Sequence, residues 1–326
     1  MKTLEGLKWH NRINTQMGCV QGALEYLKKD ISTAWLFGGT GYAFVINISK
    51  TADESCPTAW NNQMVYDLAP NIGIKISGFS IRKQIAGEHF AVKQREAGEL
   101  IRGSIDHGLP CYGWEVQPWM PEFGVITGYD EVGYYYSSYQ TGGPVKWEEY
   151  GNHDVKTIAA YRVEPCQPAP DRKVLKDVLE AVLQHASTPL GWHGVEDEDI
   201  YTTGPAAFDV WAASLESGEA KRDGTSYNAL VWHECRLQAV DFLQETRQRL
   251  TGQISPACDR ALTDAAAAYA QVRDRLKELT VLVPMNMEIW DGSTPLQNSQ
   301  AAELVRKAGE AERQGLDCLK EAAWLL

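Results

Sequence analysis

The chain has 326 residues, 44% of them hydrophobic, and a formal charge of -12 at pH 7. That length suits one large domain or, more comfortably, two ordinary ones, and the apolar content excludes a disordered or fibrous chain. The acidic balance argues against nucleic acid or an anionic membrane as a partner.

No cationic segment followed by an apolar run opens the sequence, and no stretch approaches the roughly 18–20 apolar residues of a membrane span. A soluble, cytoplasmic protein is expected. Seven cysteines stand at 19, 56, 111, 166, 235, 258 and 318 with no CxxC pair, which suits a reducing compartment better than a disulfide framework. The histidines are dispersed too. His233-Glu-Cys235 holds two ligand types, but positions i and i+2 of a helix point in divergent directions, so neither a metal nor another cofactor is expected.

The first predicted element is a helix from about Cys19 to Lys29, with Val20, Ala23, Leu24 and Leu27 on one face. Ala34 to Ile48 reads as a glycine-broken turn leading into an apolar segment. Gly38, Gly39 and Gly41 lack the following Lys-Ser/Thr of a phosphate loop, so tight turning or close packing accounts for them. A strand over 71–79 precedes a helix over 81–103. Pro110–Val116, Phe123–Tyr129 and Gly133–Tyr136 have the length and the β-branched or aromatic content of strands, and His153 to Val163 supplies a final edge strand.

Pro165-Cys-Gln-Pro-Ala-Pro-Asp171 marks a boundary, since three prolines in six residues fit neither a helix interior nor a central strand. Beyond it the period becomes helical, over 174–185, 204–215, 227–250, 255–279 and 294–324. Ser255-Pro256 is an N-cap followed by proline at the first helical position. The expected architecture is an α+β domain over 1–165 followed by an all-helical domain over 171–326.

Cys19 carries the most chemical content. It follows Gly18, stands three residues after Gln16, and sits at the predicted start of a helix. Free N–H groups at a helix N-terminus favour a thiolate, and a glutamine amide nearby can donate to an oxyanion forming beside it. Both are features of a papain-type nucleophile.

Gln16-Met-Gly-Cys19 with its helix, Leu36–Phe44, Ile105–Trp114 and Gly124–Asp130 resemble the N-terminal domain of the butirosin biosynthesis protein H family. That family belongs to the broader papain-like, bacteriocin-processing-peptidase-like fold. Phe208–Leu215 also resembles the helical companion region of such proteins, so the similarity spans most of the chain. The resemblance implies a papain-like first domain and an acyl-thioester intermediate on the cysteine. It also implies acyl transfer to an amine, or amide or thioester hydrolysis, with a small-molecule or peptide substrate that can be carrier-bound. By the same resemblance Cys19 matches the nucleophile and Gln16 the oxyanion-hole glutamine, while Glu122 occupies the position of the histidine base. The acidic or amide partner falls near Ser137 or Ser138.

A carboxylate beside a thiol opposes thiolate by like-charge repulsion, and at its usual pKa near 4.3 is a poor base for a thiol near 8.5. Substitute bases through space are His107 in a turn, His193 in Gly191-Trp-His-Gly194 and His233 on a long helix. The rival reading is a noncatalytic protein that uses the same fold to bind a small molecule, peptide or protein partner. In a third, the helical half forms a homodimer interface. Tyr134, Tyr135, Tyr136, Tyr139 and Trp147, like Trp192, Trp211, Trp232 and Trp290, suit core packing as well as a pocket wall.

Overall fold

The computed structural model describes every residue except 154, 189–200, 287 and 289. In chain order the elements begin with β1 (Lys2–Thr3), α1 (Thr15–Tyr26), α2 (Thr33–Gly39), β2 (Asn47–Ser49), α3 (Gln63–Leu68), β3 (Ile74–Arg82), α4 (Lys83–Ala86) and α5 (Phe90–Asp106). Then come β4 (Cys111–Trp114), β5 (Phe123–Tyr129), β6 (Gly133–Ser137), β7 (Thr141–Lys146) and β8 (Thr157–Pro165). The remainder is α6 (Asp171–Ser187), β9 (Tyr201–Thr203), α7 (Pro205–Ser217), β10 (Ala220–Lys221), α8 (Arg222–Arg249), α9 (Pro256–Leu282), β11 (Pro295–Leu296) and α10 (Ser299–Leu325). None of the described helices is long and apolar enough to cross a membrane.

These elements divide into two compact units, Met1–Ser32 with Ile72–Pro168 and Thr33–Asn71 with Ala169–Leu326. The first is mixed α+β and the second largely helical. The proline-rich stretch 165–171 contains the third crossing between units, at 168/169. The excursion of Thr33–Asn71 into the helical unit differs from the linear division at 165 and 171, and its cause lies in unit-two contacts described below.

The first unit is built on an antiparallel sheet in the order β3-β8-β4-β5-β6-β7, with β1 beside the far part of β5. β8 lies between β3 and β4, pairing with both, so it is an interior strand where an edge strand was expected. Its residues explain the position: Ile158, Ala159, Ala160, Tyr161 and Val163 are all buried, as a strand covered on both faces requires. β3 runs through Arg82 before the helical stretch begins. Gly87, in the left-handed region at φ +53, separates α4 from α5. The expected single helix over 81–103 is therefore split. α5 buries Phe90, Ala97, Ile101 and Ile105 and packs on the sheet at β8, β4 and β5. Tyr134, Tyr136 and Tyr150 are core side chains, and the Tyr150 hydroxyl donates to the Ala159 carbonyl at 2.6 Å.

The second unit holds α6 to α10 together with α2 and α3. α9 packs against both α8 and α10. Ala261, Ala265, Ala268, Ala301, Ala308 and Ala322 are buried, and side chains this small let helix backbones approach closely. Ser255 caps α9 by accepting from the Cys258 N–H, and Pro256 stands at its first position, as the sequence pattern predicts. Asn298 caps α10 by accepting from the Ala301 N–H.

Besides the pairing of β2 with β9, three side-chain contacts illustrate how the 33–71 excursion is held to these helices. Gly38 lies against the Phe242 ring, where an added Cβ would come within 1.9 Å of it, so close packing accounts for this glycine and α2 replaces the expected turn. Asn228 on α8 donates its amide to the Asp53 carbonyl at 2.8 Å while accepting from the Trp232 indole at 3.0 Å. Arg236, fully buried, forks onto Glu312 at 2.7 and 2.8 Å, and its other terminal nitrogen donates to the Ala43 and Val45 carbonyls at 3.0 and 2.8 Å. The Trp211 and Trp232 side chains are wholly buried and act as core.

Candidate functional site

Helix α1 starts at Thr15, four residues before the expected start, because Asn14 is its N-cap. The Asn14 side chain accepts from the Met17 N–H at 2.8 Å, and its backbone carbonyl accepts from the Gly18 N–H at 3.1 Å. Cys19 is thus the fifth helical residue, past the four N–H groups that a helix leaves free at its start. The macrodipole effect fades within the first turn, so the thiol receives little of it. Gly18 has its own reason: a Cβ there would fall 2.2 Å from the His10 carbonyl oxygen and 2.8 Å from the Trp9 indole nitrogen. The glycine lets the helix lie against the segment before it.

Cys19 is completely buried. Burial, with the Glu122 carboxylate adding to it, pushes the thiol well above its ordinary pKa. Its environment matches that of the other core cysteines. Burial pushes Cys56 and Cys111 up to about 12. Gln16 is buried beside it on the same helix.

Glu122 immediately precedes β5 and is half-buried. The Thr15 hydroxyl donates to its Oε2 at 2.5 Å and accepts from the Phe123 N–H at 3.2 Å. One hydroxyl therefore joins the first residue of α1 to both the carboxylate and the first residue of β5. Sequence reasoning missed Thr15; its only local signal is a position just after an N-cap asparagine. Replacing Thr15 by valine keeps the shape but leaves the Phe123 N–H without this acceptor. We expect a loss of about 1–3 kcal/mol in urea unfolding, with Thr15→Ser recovering most of it.

Trp9 and Tyr139 complete the surroundings. The Trp9 indole donates to the Thr15 carbonyl at 3.1 Å, and its ring lies 4.9 Å from that of Tyr139. Burial, with the Glu122 charge next, pushes the Tyr139 hydroxyl up to about 12. The structure therefore gathers Cys19, Gln16, Glu122, Thr15, Trp9 and Tyr139 around one end of α1. Ser137 accepts from the Trp9 N–H at 3.4 Å, and the Ser138 hydroxyl donates to the Phe123 carbonyl at 3.5 Å. Each holds backbone in place, and neither is the acid or amide that the resemblance implies as a partner to a base.

Two of the candidate bases have surroundings of their own. His107 follows the C-terminus of α5, with its ring Nδ1 2.7 Å from the Gly103 carbonyl. His233 lies on α8 in the helical unit, where burial and then Lys277 and Arg273 lower its pKa. His193 and Trp192 lie outside the described residues. His10, whose backbone packs on Gly18, turns its ring to Glu25 at 2.9 Å. Among the described residues no group of three or more His, Cys, Asp or Glu side chains is placed to hold a metal ion. No protein-family model and no curated protein matches this chain.

Proposed function

We propose that the first unit is a papain-like domain in which the nucleophile position no longer performs thiol chemistry, and that the protein acts by binding a small molecule, peptide or protein partner. The observation that carries this reading is the state of Cys19: wholly buried, next to a carboxylate, with its thiol pushed well above the ordinary range. A nucleophilic cysteine needs the opposite surroundings, electropositive and partly open to solvent. A helix bearing the cysteine and packed on β5 of an antiparallel sheet agrees with the papain-like resemblance. The replacement of histidine by Glu122 agrees with loss of the acyl transfer and hydrolysis that the resemblance implies. The net charge of -12 favours a partner other than nucleic acid.

The test is covalent trapping. The native chain, incubated with a simple acyl thioester such as an acetyl-N-acetylcysteamine, is expected to show no acyl adduct at Cys19 by intact-protein and peptide mass spectrometry. An adduct that accumulates rapidly and is lost in Cys19→Ser would overturn the proposal in favour of acyl transfer or hydrolysis through Cys19.

A further inference from the structure

We propose that the outer edge of β3 is a docking strand that takes an extended acidic segment of a partner protein. β8 pairs with β3 along all nine residues, from Ile74 opposite Pro165 to Arg82 opposite Thr157. No described strand pairs with its other side. In an antiparallel pair, alternate residues direct N–H and C=O groups away from the neighbouring strand, so the outer side carries a row of backbone donors and acceptors. Lys75, Ser77, Gly78 and Ser80 are exposed, so this stretch of the edge is open to an incoming chain.

The two ends of the sheet differ in a way that bears on this. β7, at the opposite end, reads Thr141-Gly-Gly-Pro-Val-Lys146. Its Pro144 removes a donor and interrupts pairing, a common protection for an edge. β3 contains no proline, is longer, and has only serine, glycine and phenylalanine at its centre from Ser77 to Ser80. Such an edge accepts an added strand through backbone hydrogen bonds, with alternate side chains giving selectivity.

Charge selects the occupant. From Gly73 to Gly87 the chain carries Lys75, Arg82 and Lys83 and no acidic residue, within a protein whose net charge is -12. Lys93 also lies 5.4 Å from the centre of the Phe79 ring, but Glu96 already pairs with it at 2.6 Å, so the selecting charge lies on the strand and the turn after it. Two copies meeting edge to edge would bring two cationic strands together, whereas an acidic strand complements this one. Ile85, three residues beyond the strand and 57% exposed, offers an apolar contact at its end. The inference is independent of the state of Cys19.

The test uses the full chain and a fluorescein-labelled peptide of about ten residues, a usual strand length, alternating glutamate with valine. Two controls are the lysine–valine counterpart and the same acidic peptide N-methylated at alternate residues. We expect salt-sensitive binding of the acidic peptide alone, with slowed amide exchange confined to 74–82. Lys75→Glu combined with Ser80→Glu, both on the exposed edge, should weaken binding about tenfold with an unchanged circular dichroism spectrum. Equal binding of the N-methylated peptide would reduce the effect to charge attraction and overturn strand addition. The proposal also fails if the acidic peptide does not bind or if protection arises elsewhere. Concentration-dependent self-association that protects β3 without peptide would assign the edge to a second copy instead.

Discussion

Glu312→Leu is expected to destabilise the helical unit by about 3–5 kcal/mol, read as a lower urea midpoint with an unchanged slope. The change leaves the Arg236 guanidinium wholly buried with two backbone carbonyls but without its counter-charge. An uncompensated charge in a low-dielectric interior is far costlier than the ion pair itself. Replacing both partners, Arg236→Met with Glu312→Leu, removes the charge along with its partner. This double variant should recover a large part of the loss, the shortfall reporting the Ala43 and Val45 carbonyls to which Arg236 donates at 3.0 and 2.8 Å. Equal destabilisation by the single and double changes would mean that the pair contributes chiefly by bonding the excursion through those carbonyls.

Acidification is expected to weaken the same unit through His185. This side chain on α6 lies against the Trp60 ring at 6.0 Å, and its Nε2 has no hydrogen-bond partner among the described residues. Burial is the main influence, and together with the Arg236 charge it outweighs the bond to the Ile46 backbone and lowers the pKa from 6.5 to about 4. The folded state therefore holds imidazole neutral while the unfolded chain protonates it. The sign follows from linkage: between those two pKa values the unfolded state binds more protons. The stability is intact above pH 6.5 and declines as pH falls to about 4, by on the order of 3 kcal/mol. Urea unfolding measured across that window should show the slope in the native protein and a flatter profile in His185→Gln. Identical slopes in both would remove His185 as the source.

The strands and long helices are legible in the sequence where one periodicity dominates. Phe123–Tyr129 and the helices after residue 171 follow their apolar patterns because burial on one face determines both. Elements set by a single side chain or by tertiary pairing are less so. The start of α1 depends on Asn14 accepting from the Met17 N–H, which sets it four residues before the start expected at Cys19. β8 reads as an edge strand because alternation of side chains reveals burial of a face, whereas the partners along its two edges come from distant parts of the chain. The excursion of 33–71 into the helical unit rests on Arg236, Asn228 and Gly38, about 190 positions apart in the case of Arg236 and Val45, and no local pattern announces it. At the site, the resemblance singles out Cys19, Gln16 and Glu122, and the structure brings the Glu122 charge to bear on Cys19. The burial of the thiol and the role of Thr15 depend on how α1 and β5 pack, and these became apparent only in three dimensions.

The most direct measurement is site-resolved alkylation of the native chain against pH, with Cys166 and Cys318 as internal references because both are partly exposed while Cys19 is buried. Binding without thiol chemistry predicts that these two react well before Cys19, and that Cys19 reacts at an appreciable rate only when urea opens the fold. Rapid modification of Cys19 in the folded protein, with a midpoint well below the free-thiol value of roughly 8.5, would contradict it and identify Cys19 as an activated nucleophile.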